Sequence, residues 1–593
     1  MFSKVLVANR GEIAVRIIRA LKELDIASVA VYSEIDRDAL HVQAADEAYL
    51  IGPGPAAESY LVVEKILDVA RESGAEAVHP GYGFLAENAP FAQACEDAGI
   101  VFIGPPASAI DNMGSKTKAR ELMQAAGVPI VPGTTETIDT VEEARVIAKE
   151  QIGYPVAVKA AGGGGGKGFR VALTEDKLEE AFEGASREGE KFFSDGRVYL
   201  ERYLPDPRHV EVQIIADKHG NVIHLGERDC SIQRRHQKLI EEAPAPVVDA
   251  EMRARIGEIG INAAKAVDYV GAGTIEGLFQ DGEYFFLEMN TRVQVEHCVT
   301  EMVTGIDIVK EGIRAAAGLP LSYAQEDVIL RGHAIECRIN AEDAARNFAP
   351  APGAIGAYKE PTGPGVRVDS GVGQNGVVSP MYDPMVAKLI VWDADREQAT
   401  KRMIRALGEY EIEGLKTLIP FHTAIMKTDQ WGNAETCRDL VEDKAWLKTL
   451  AVDVPIVDTD DGEKAEREYT VEVSGKRFDV KVIGEAFAPS GAVAAAPGNG
   501  GAKKPGRSER KKSAGGGADA LPSPMQGNMW KVKVALGDTV EEGQLLCIIE
   551  AMKMENEITA HKAGVIKELP ITEGAPISAG DLIAVIAAPA ADA

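Results

Sequence analysis

Glu550-Ala551-Met552-Lys553-Met554-Glu555-Asn556 is the stretch around which the rest of the chain is read. Its residues are mostly good helix formers, and Glu550, Lys553 and Glu557 stand at ion-pairing spacing, as in a solvated helical turn. The flanks argue otherwise. Leu545-Leu546-Cys547-Ile548-Ile549 precedes the run and Glu557-Ile558-Thr559-Ala560 follows it, so short strand-like pieces bracket the lysine. The region also repeats at an offset of 37 residues: Gly527, Val532, Val534, Gly537, Val540, Gly543, Leu545, Leu546, Ile548 and Ile549 recur as Gly564, Leu569, Ile571, Gly574, Ile577, Gly580, Leu582, Ile583, Val585 and Ile586. Two halves of the same strands and Gly turns predict a flattened all-β barrel, with Lys553 held out between them.

Ala551-Met552-Lys553-Met554 resembles the attachment sequence of biotin carboxyl carrier domains, and Ser523-Pro524-Met525-Gln526-Gly527 is similar to that family's opening strand. The resemblance implies covalent biotin on Lys553, added by a biotin protein ligase. A lipoyl domain shares the fold, but its lysine does not usually lie between two methionines. Everything upstream is then expected to make or use carboxybiotin.

With 593 residues the chain has room for about four domains. Its 64 basic and 92 acidic residues give a net charge of −28, which speaks against nucleic acid or an anionic membrane as a general partner. Six scattered cysteines form no Cys-x-x-Cys pair and read as reduced core thiols of a cytoplasmic protein. Met1 leads directly into a strand with no signal-peptide pattern, and no apolar stretch is long enough to span a bilayer.

Val5 to Ala8 and Ala27 to Tyr32 read as strands around a helix carrying Ile13, Ile17, Leu21 and Leu24, a βαβ opening. Asn9-Arg10-Gly11-Glu12 lacks the dinucleotide fingerprint. Further on, Gly162-Gly163-Gly164-Gly165-Gly166-Lys167-Gly168 fails as a Walker A loop because Ala161 and Gly168 stand where Gly and Ser or Thr are needed. Set between the strands Pro155–Lys159 and Phe169–Ala172, it predicts a hairpin whose bare amides can close over polyphosphate.

The stretch 273 to 297 carries the chemistry. An Asp281-Gly282 turn joins Gly273–Phe279 to Glu283–Glu288, and a turn centred near 282 sets Glu276 opposite Glu288. Facing carboxylates call for a proton or a cation. Glu288, Asn290, Arg292, Gln294 and Glu296 continue in steps of two; extended chain would project all five to one side and Met289, Val293 and Val295 to the other. An exposed edge strand would show the same alternation.

These segments together resemble biotin carboxylase, an ATP-grasp enzyme, across residues 1 to about 446. The resemblance implies an α/β fold in six parts: an N-terminal βαβ domain (1–130), an ATP-grasp lid (131–204), an ATP-grasp core with the C-terminal domain (205–446), a short β-hairpin segment (447–485), an Ala/Pro/Gly/Lys linker (486–520) and the biotinyl domain (521–593). It also implies Mg²⁺ or Mn²⁺ on Glu276, Glu288 and Asn290. Bicarbonate is held by Lys238, Arg292, Gln294 and Val295, with Glu296 as general base and Arg338 stabilising the biotin enolate. Tyr82 and Gly83 approach the biotin ring. ATP meets Lys116, Lys159, Gly164, Gly165, Gly166, Glu201, Leu204, His209, Gln233, His236 and Leu278. Cys298 departs from the family, which commonly has proline there; a less rigid loop and an oxidisable thiol beside the base are expected.

The linker composition cannot build a core, and about 35 residues of coil span roughly 30 to 35 Å, enough for a carrier shuttling between two sites. Only one such site is encoded, so a separate carboxyltransferase β subunit is expected, in a hetero-oligomer whose chains are themselves oligomeric; the hairpin at 469 to 482 is a candidate dock. The architecture resembles the α-chain of bacterial acetyl-/propionyl-CoA carboxylases, which serve malonyl-/methylmalonyl-CoA and fatty acid formation. Alternatives are a component of methylcrotonyl-CoA carboxylase or two-subunit pyruvate carboxylase, a non-catalytic biotinyl scaffold, or an ATP-grasp ligase for another acid.

Overall fold

The computed structural model describes residues 1–162, 168–193, 195–454, 465–473, 476–484, 519–523, 527–551, 554–573, 575–577 and 581–587. Gly164, Gly165, Gly166, Lys553 and most of the linker lie outside these residues. The chain divides into two units, Met1–Pro455 and Ile456–Ala593.

The first unit opens on a five-stranded parallel sheet in the order Glu47–Gly52, Ala27–Ser33, Lys4–Val7, Ala77–His79, Val101–Phe102. Its first crossover is the helix Gly11–Glu23, whose Ile13, Ile17 and Leu21 are buried as their spacing predicts, while Leu24 ends the helix half-exposed. A second, three-stranded sheet pairs Val156–Ala160 with Phe169–Ala172 on one side and Val198–Arg202 on the other, all antiparallel. The two strands that flank the glycine run are thus antiparallel partners, and the run itself, 163–167, lies outside the described residues.

An eight-stranded antiparallel sheet forms the body of the unit, in the order Glu283–Asn290, Gly271–Gln280, Arg208–Ala216, Val222–Arg234, Gln237–Ala243, His333–Asn340, Met385–Asp393, Val366–Ser370. Apolar residues pack one region of it against the helix Ala250–Lys265 and another against Arg396–Glu409 and Ile419–Ile425. Polar and charged side chains, including Glu211, Gln213, Arg228, Glu241 and Glu336, are fully buried in the same sheet. No helix among the described residues is long and apolar enough to cross a membrane, and all six cysteines are free and buried.

In the second unit the strands Ala465–Val473 and Lys476–Gly484 form an antiparallel hairpin. The carrier region has two four-stranded sheets: Ala520–Pro522, Leu582–Ala587, Gly564–Glu568, Thr539–Val540, and Met554–Thr559, Leu545–Ala551, Gly527–Val532, Pro576–Ile577. Shifting each strand of one sheet by the 37-residue repeat gives the strands of the other in the same order, so the internal duplication is the architecture. Ile549, Ile586, Leu546 and Ile583, equivalent in pairs under that shift, are completely buried together.

One glycine is decisive for the central sheet. A Cβ on Gly277 would overlap the ring of Tyr284, whose hydroxyl donates to Ile275 O at 3.2 Å and which is 1% exposed. Gly277→Ala is therefore expected to destabilise the first unit by roughly 1–3 kcal/mol, read as a lower urea midpoint.

Candidate active site

The site begins with a register. Asp281 and Gly282 both adopt left-handed backbone, the two-residue hairpin turn that fits right-twisted strands. Pairing runs Gln280–Glu283, Phe279–Tyr284, Leu278–Phe285 and Gly277–Phe286, then jumps to Glu276–Glu288. The expected pair is thus correct, but by another route: the turn is centred between 281 and 282, and a β-bulge at Leu287 supplies the missing residue.

The row after Glu288 needs a correction. The strand stops at Asn290, residues 291–296 form bends and turns, and the helix His297–Thr304 begins at once. Asn290, Arg292, Gln294 and Glu296 still converge, because the loop folds them back instead of alternating along one strand. Gln294 and Asn290 each donate to Glu276 Oε1, at 2.6 and 2.8 Å, and Arg292 donates to Asn290 Oδ1 at 2.7 Å and to Glu87 at 2.9 Å. Val295 is half-buried, its carbonyl accepting from Lys388 Nζ at 2.9 Å.

Lys238 is the hub. It stands on Gln237–Ala243, joined to Val222–Arg234 by a tight turn in which Arg235 and His236 are both left-handed. The pairing passes from Gln233–Lys238 to Ile232–Ile240, so Leu239 has no partner, and this bulge lets both Lys238 and Glu241 reach one cluster. The Lys238 ammonium donates to Glu211 at 2.5 Å, Glu276 at 2.8 Å and Glu296 at 2.6 Å. Arg338, from His333–Asn340, donates to the other Glu296 oxygen at 3.0 Å and to Glu241 at 2.6 Å.

Burial alone would push Glu296 up, but Lys238, Arg338 and Arg228 override it and hold the carboxyl well below the usual range. Glu276 behaves in the same way under Lys238 and His209. Glu288 goes the other way: burial and then Glu276 raise it, so the pair carries negative charge that a cation would relieve. Glu288 makes no ion pair among the described residues. His209, Glu211 and Glu276 also bring ligand atoms within 4.8 Å of one another, but the Lys238 ammonium already fills that position.

On the nucleotide side, Lys159 and Arg120 both pair with the buried Glu201, and Lys116, at the start of Lys116–Ala125, acts electrostatically on Glu201 and Glu288. Val131, Leu204 and Phe285 pack together with Leu278 beside them, an apolar patch suited to a flat ring. His209 Nε2 lies 2.8 Å from Glu276, Gln233 donates to Cys230 O at 2.8 Å, and His236 is exposed at its turn. Tyr82 bonds Glu12, and Gly83 is exposed with left-handed backbone.

Cys298 stands just past the loop, at the start of a helix. It sits in the first turn of His297–Thr304, 0% exposed, with Lys388 Nζ at 3.1 Å and Asp369 at 3.3 Å from its sulfur. Burial pushes its thiol well up, which keeps it protonated and unreactive.

Two central residues carry no role in the sequence reading. Arg228 is fully buried and donates to Glu211, Gln213, Thr274, Gln294 and Thr300, tying three strands to the loop. Glu211 bridges it to Lys238. The alternation of His209, Glu211 and Gln213 was the available signal.

A parallel α/β domain, a small hairpin-bearing sheet and an antiparallel sheet lined with buried carboxylates and cations together define an ATP-grasp enzyme. Residues 1–110 match the biotin carboxylase N-terminal domain, 115–324 the carbamoyl-phosphate synthase L chain ATP binding domain, 336–443 the biotin carboxylase C-terminal domain, and 519–586 the biotin-requiring enzyme domain. The biotin-dependent acyl-coenzyme A carboxylase alpha3 subunit of Mycobacterium leprae is 47% identical over 98% of each chain. A pyruvate carboxylase subunit of Methanothermobacter thermautotrophicus is 54% identical over 75% of this chain and 90% of its own. The biotin carboxylase domain dimer of Hydrogenobacter thermophilus 2-oxoglutarate carboxylase, solved with MgADP, ADP and bicarbonate, superposes with a TM-score of 0.71 at 52% identity, covering 75% of this chain and 99% of that one. The chain belongs to the biotin carboxylase family and carries a biotinyl domain on the same polypeptide.

Replacing Lys238 by Met leaves Glu211, Glu276 and Glu296 facing one another without their cation. The expected cost is about 3–5 kcal/mol of stability in chemical unfolding, and adding Glu296→Gln recovers part of it by removing one of the charges.

Proposed function

We propose that this protein uses ATP and bicarbonate to carboxylate biotin carried on its own Lys553, as the α subunit of an acyl-CoA carboxylase. The observation that carries the first half is the joint capture of Glu296 by Lys238 and Arg338, next to the facing pair Glu276 and Glu288. In this reading Lys116, Lys159, His209, Gln233, His236, the glycines 164 to 166 and the segment from Glu201 to Leu204 receive ATP, with Leu278 against its base. Bicarbonate enters between Lys238, Arg292, Gln294 and Val295. As an anion it competes with Glu296 for Lys238; freed of that pair, Glu296 gains proton affinity and removes the bicarbonate proton during attack on the γ-phosphate. The resulting carboxyphosphate releases CO₂ and phosphate; the phosphate takes the N–H proton of the biotin ureido group, placed by Tyr82 and Gly83 with Arg338 over its oxygen, and the freed nitrogen adds to the CO₂.

The donor set of Glu276, Glu288 and Asn290 suits Mg²⁺ or Mn²⁺, hard cations that favour oxygen, and such an ion would supply positive charge at the ATP phosphates. On the protein side, Asn290 must exchange its bond to Arg292 for that ion.

Similarity to an acyl-coenzyme A carboxylase alpha3 subunit over 98% of both chains supports acyl-CoA as the final acceptor. The similarity to the pyruvate carboxylase component covers 443 residues, 75% of this chain. The reading includes a carboxyltransferase β subunit, a biotin protein ligase, homo-oligomeric pairing within the complex, a cytoplasmic location and a place in fatty acid precursor supply. It also keeps the six-part division of the chain, with the hairpin Ala465–Val473 and Lys476–Gly484 as a dock for the partner.

The Lys553→Arg protein, which carries no biotin of its own, is expected to release ADP only when both bicarbonate and free biotin are present, and Glu296→Gln to slow that release by roughly 10²- to 10⁴-fold. ADP release without biotin dependence would sink the assignment. Intact mass is expected to show one biotin adduct that Lys553→Arg removes; a lipoyl adduct would instead make the carrier part of another pathway. In the presence of the β subunit, comparison of acetyl-, propionyl- and longer acyl-CoA thioesters against pyruvate identifies the acceptor.

A further inference from the structure

Behind Arg338 lies a pair of carboxyl groups to which the proposed chemistry gives no part. Glu241 and Glu336 are direct cross-strand partners between Gln237–Ala243 and His333–Asn340, and both are 0% exposed. Such partners have Cβ atoms about 4.5–5.5 Å apart, close enough for two carboxyls to meet. Glu241 Oε1 accepts from Arg338 Nε at 2.6 Å, while Glu241 Oε2 and both oxygens of Glu336 have no hydrogen-bond partner. Three orphaned carboxylate oxygens in a closed interior would cost several kcal/mol if both groups were charged. One proton shared by the two groups removes most of that cost, as in other buried carboxyl pairs.

The charged groups around the pair agree. Glu336 faces Lys388 from the neighbouring strand, Arg338 from its own, Glu241 across the ladder, and Glu296 from the loop, with Cys298 of the following helix also near. Glu241 faces Arg338, Glu296 and Lys238. Lys388 is already engaged by Val295 O, Cys298 and Glu12. Burial is the largest influence on both acids; it pushes Glu241 up to about 7 and Glu336 well above the ordinary range, against the pull of Arg338 and Lys388.

We propose that Glu241 and Glu336 hold one proton between them, Glu336 donating to Glu241, and that this acid pair is the positioning element keeping Arg338 turned toward Glu296. An ionised Glu336 would compete with Glu296 for Arg338 and repel Glu241 from its place. A protonated Glu336 instead satisfies Glu241 Oε2 and leaves the single negative charge where it grips Arg338 Nε. The proposal rests on the site being a biotin carboxylase centre, and its test has one arm that needs no turnover.

That arm is isotope-edited infrared spectroscopy of the full-length protein with labelled glutamate. Carboxylic-acid carbonyl absorption is expected near neutral pH, to which the buried Glu12 and Glu342 also contribute, and one component of it should vanish in Glu336→Gln; an unchanged spectrum overturns the proposal. The kinetic arm compares two near-isosteres. Glu336→Met, which cannot donate, is expected to lower kcat for biotin-dependent ADP release by about 10- to 100-fold, the size of one lost charge-assisted hydrogen bond. KM for ATP should stay put. Glu336→Gln, which can still donate, should restore most of that loss and remove the part of the alkaline fall in kcat that comes from losing the shared proton. Gln as slow as Met, or a pH profile identical to that of the parent protein, would refute the pairing. Should Glu336→Met fail to fold, the spectrum and pH profile of Glu336→Gln still decide. Absence of biotin-dependent ADP release in the unmutated protein would instead strike the site assignment, leaving the infrared result to judge the proton alone.

Discussion

The site depends on one buried ammonium. Lys238 meets three carboxylates within 2.5 to 2.8 Å, and a lysine so enclosed would give up its charge if those partners were absent. With them it is held firmly protonated, because Glu211, Glu276 and Glu296 outweigh the cost of taking it out of water. Burial works against the charged forms of Glu276 and Glu296, and Lys238 is the largest influence that overrides it, aided by His209 at the first and by Arg338 and Arg228 at the second. This reciprocity makes the cluster an all-or-none object. It is a poor device for stability alone, since an apolar core of equal volume would fold at less risk, and such a costly arrangement points to a binding or catalytic use.

Two irregularities in the ladders make the cluster possible. The bulge at Leu287 shifts Glu288 into line with Glu276, and the bulge at Leu239 puts Lys238 and Glu241 on a common cluster. A regular sheet would send one member of each pair to the opposite face. Tight turns at Asp281-Gly282 and Arg235-His236 then fix the register on the far side of each bulge. Local backbone geometry, set by turn residues, thereby decides which charges can meet.

The sequence was most legible where a repeat or a turn carries position directly. The 37-residue duplication maps one carrier sheet onto the other, and the Asp281-Gly282 turn led to the Glu276–Glu288 pair even though the bulge went unseen. Alternation misled after Asn290, because a period of two looks the same in a strand and in a loop that folds back; Gln294 and Glu296 reach the cluster through bends, not through extended chain. Lys238 and Arg338 were recognisable only through family resemblance. Their partners lie 27 to 97 residues away in the chain, and no local period encodes such contacts. Arg228 and the pair Glu241 and Glu336 escaped for the same reason: a buried charge has no local signature until its cross-strand neighbours are known. Cys298 shows the converse error, a chemical property assigned from residue type that burial then cancels, against the opposite pull of Arg367 and Lys388.

The resting network also bears on how wasteful ATP hydrolysis is avoided. A carboxylate with one oxygen on Lys238 and the other on Arg338 has a depressed proton affinity, so on the proposed reading Glu296 rests as an idle base. Water, being neutral, cannot displace it from Lys238. A bicarbonate anion can, because it brings a charge of its own for the ammonium, and the same displacement raises the proton affinity of Glu296 at the moment a proton must be removed. On the proposed reading, substrate charge is therefore what arms the base. On that same reading, the ion pairs that look like structural cement also act as the gate that makes nucleotide cleavage wait for inorganic carbon.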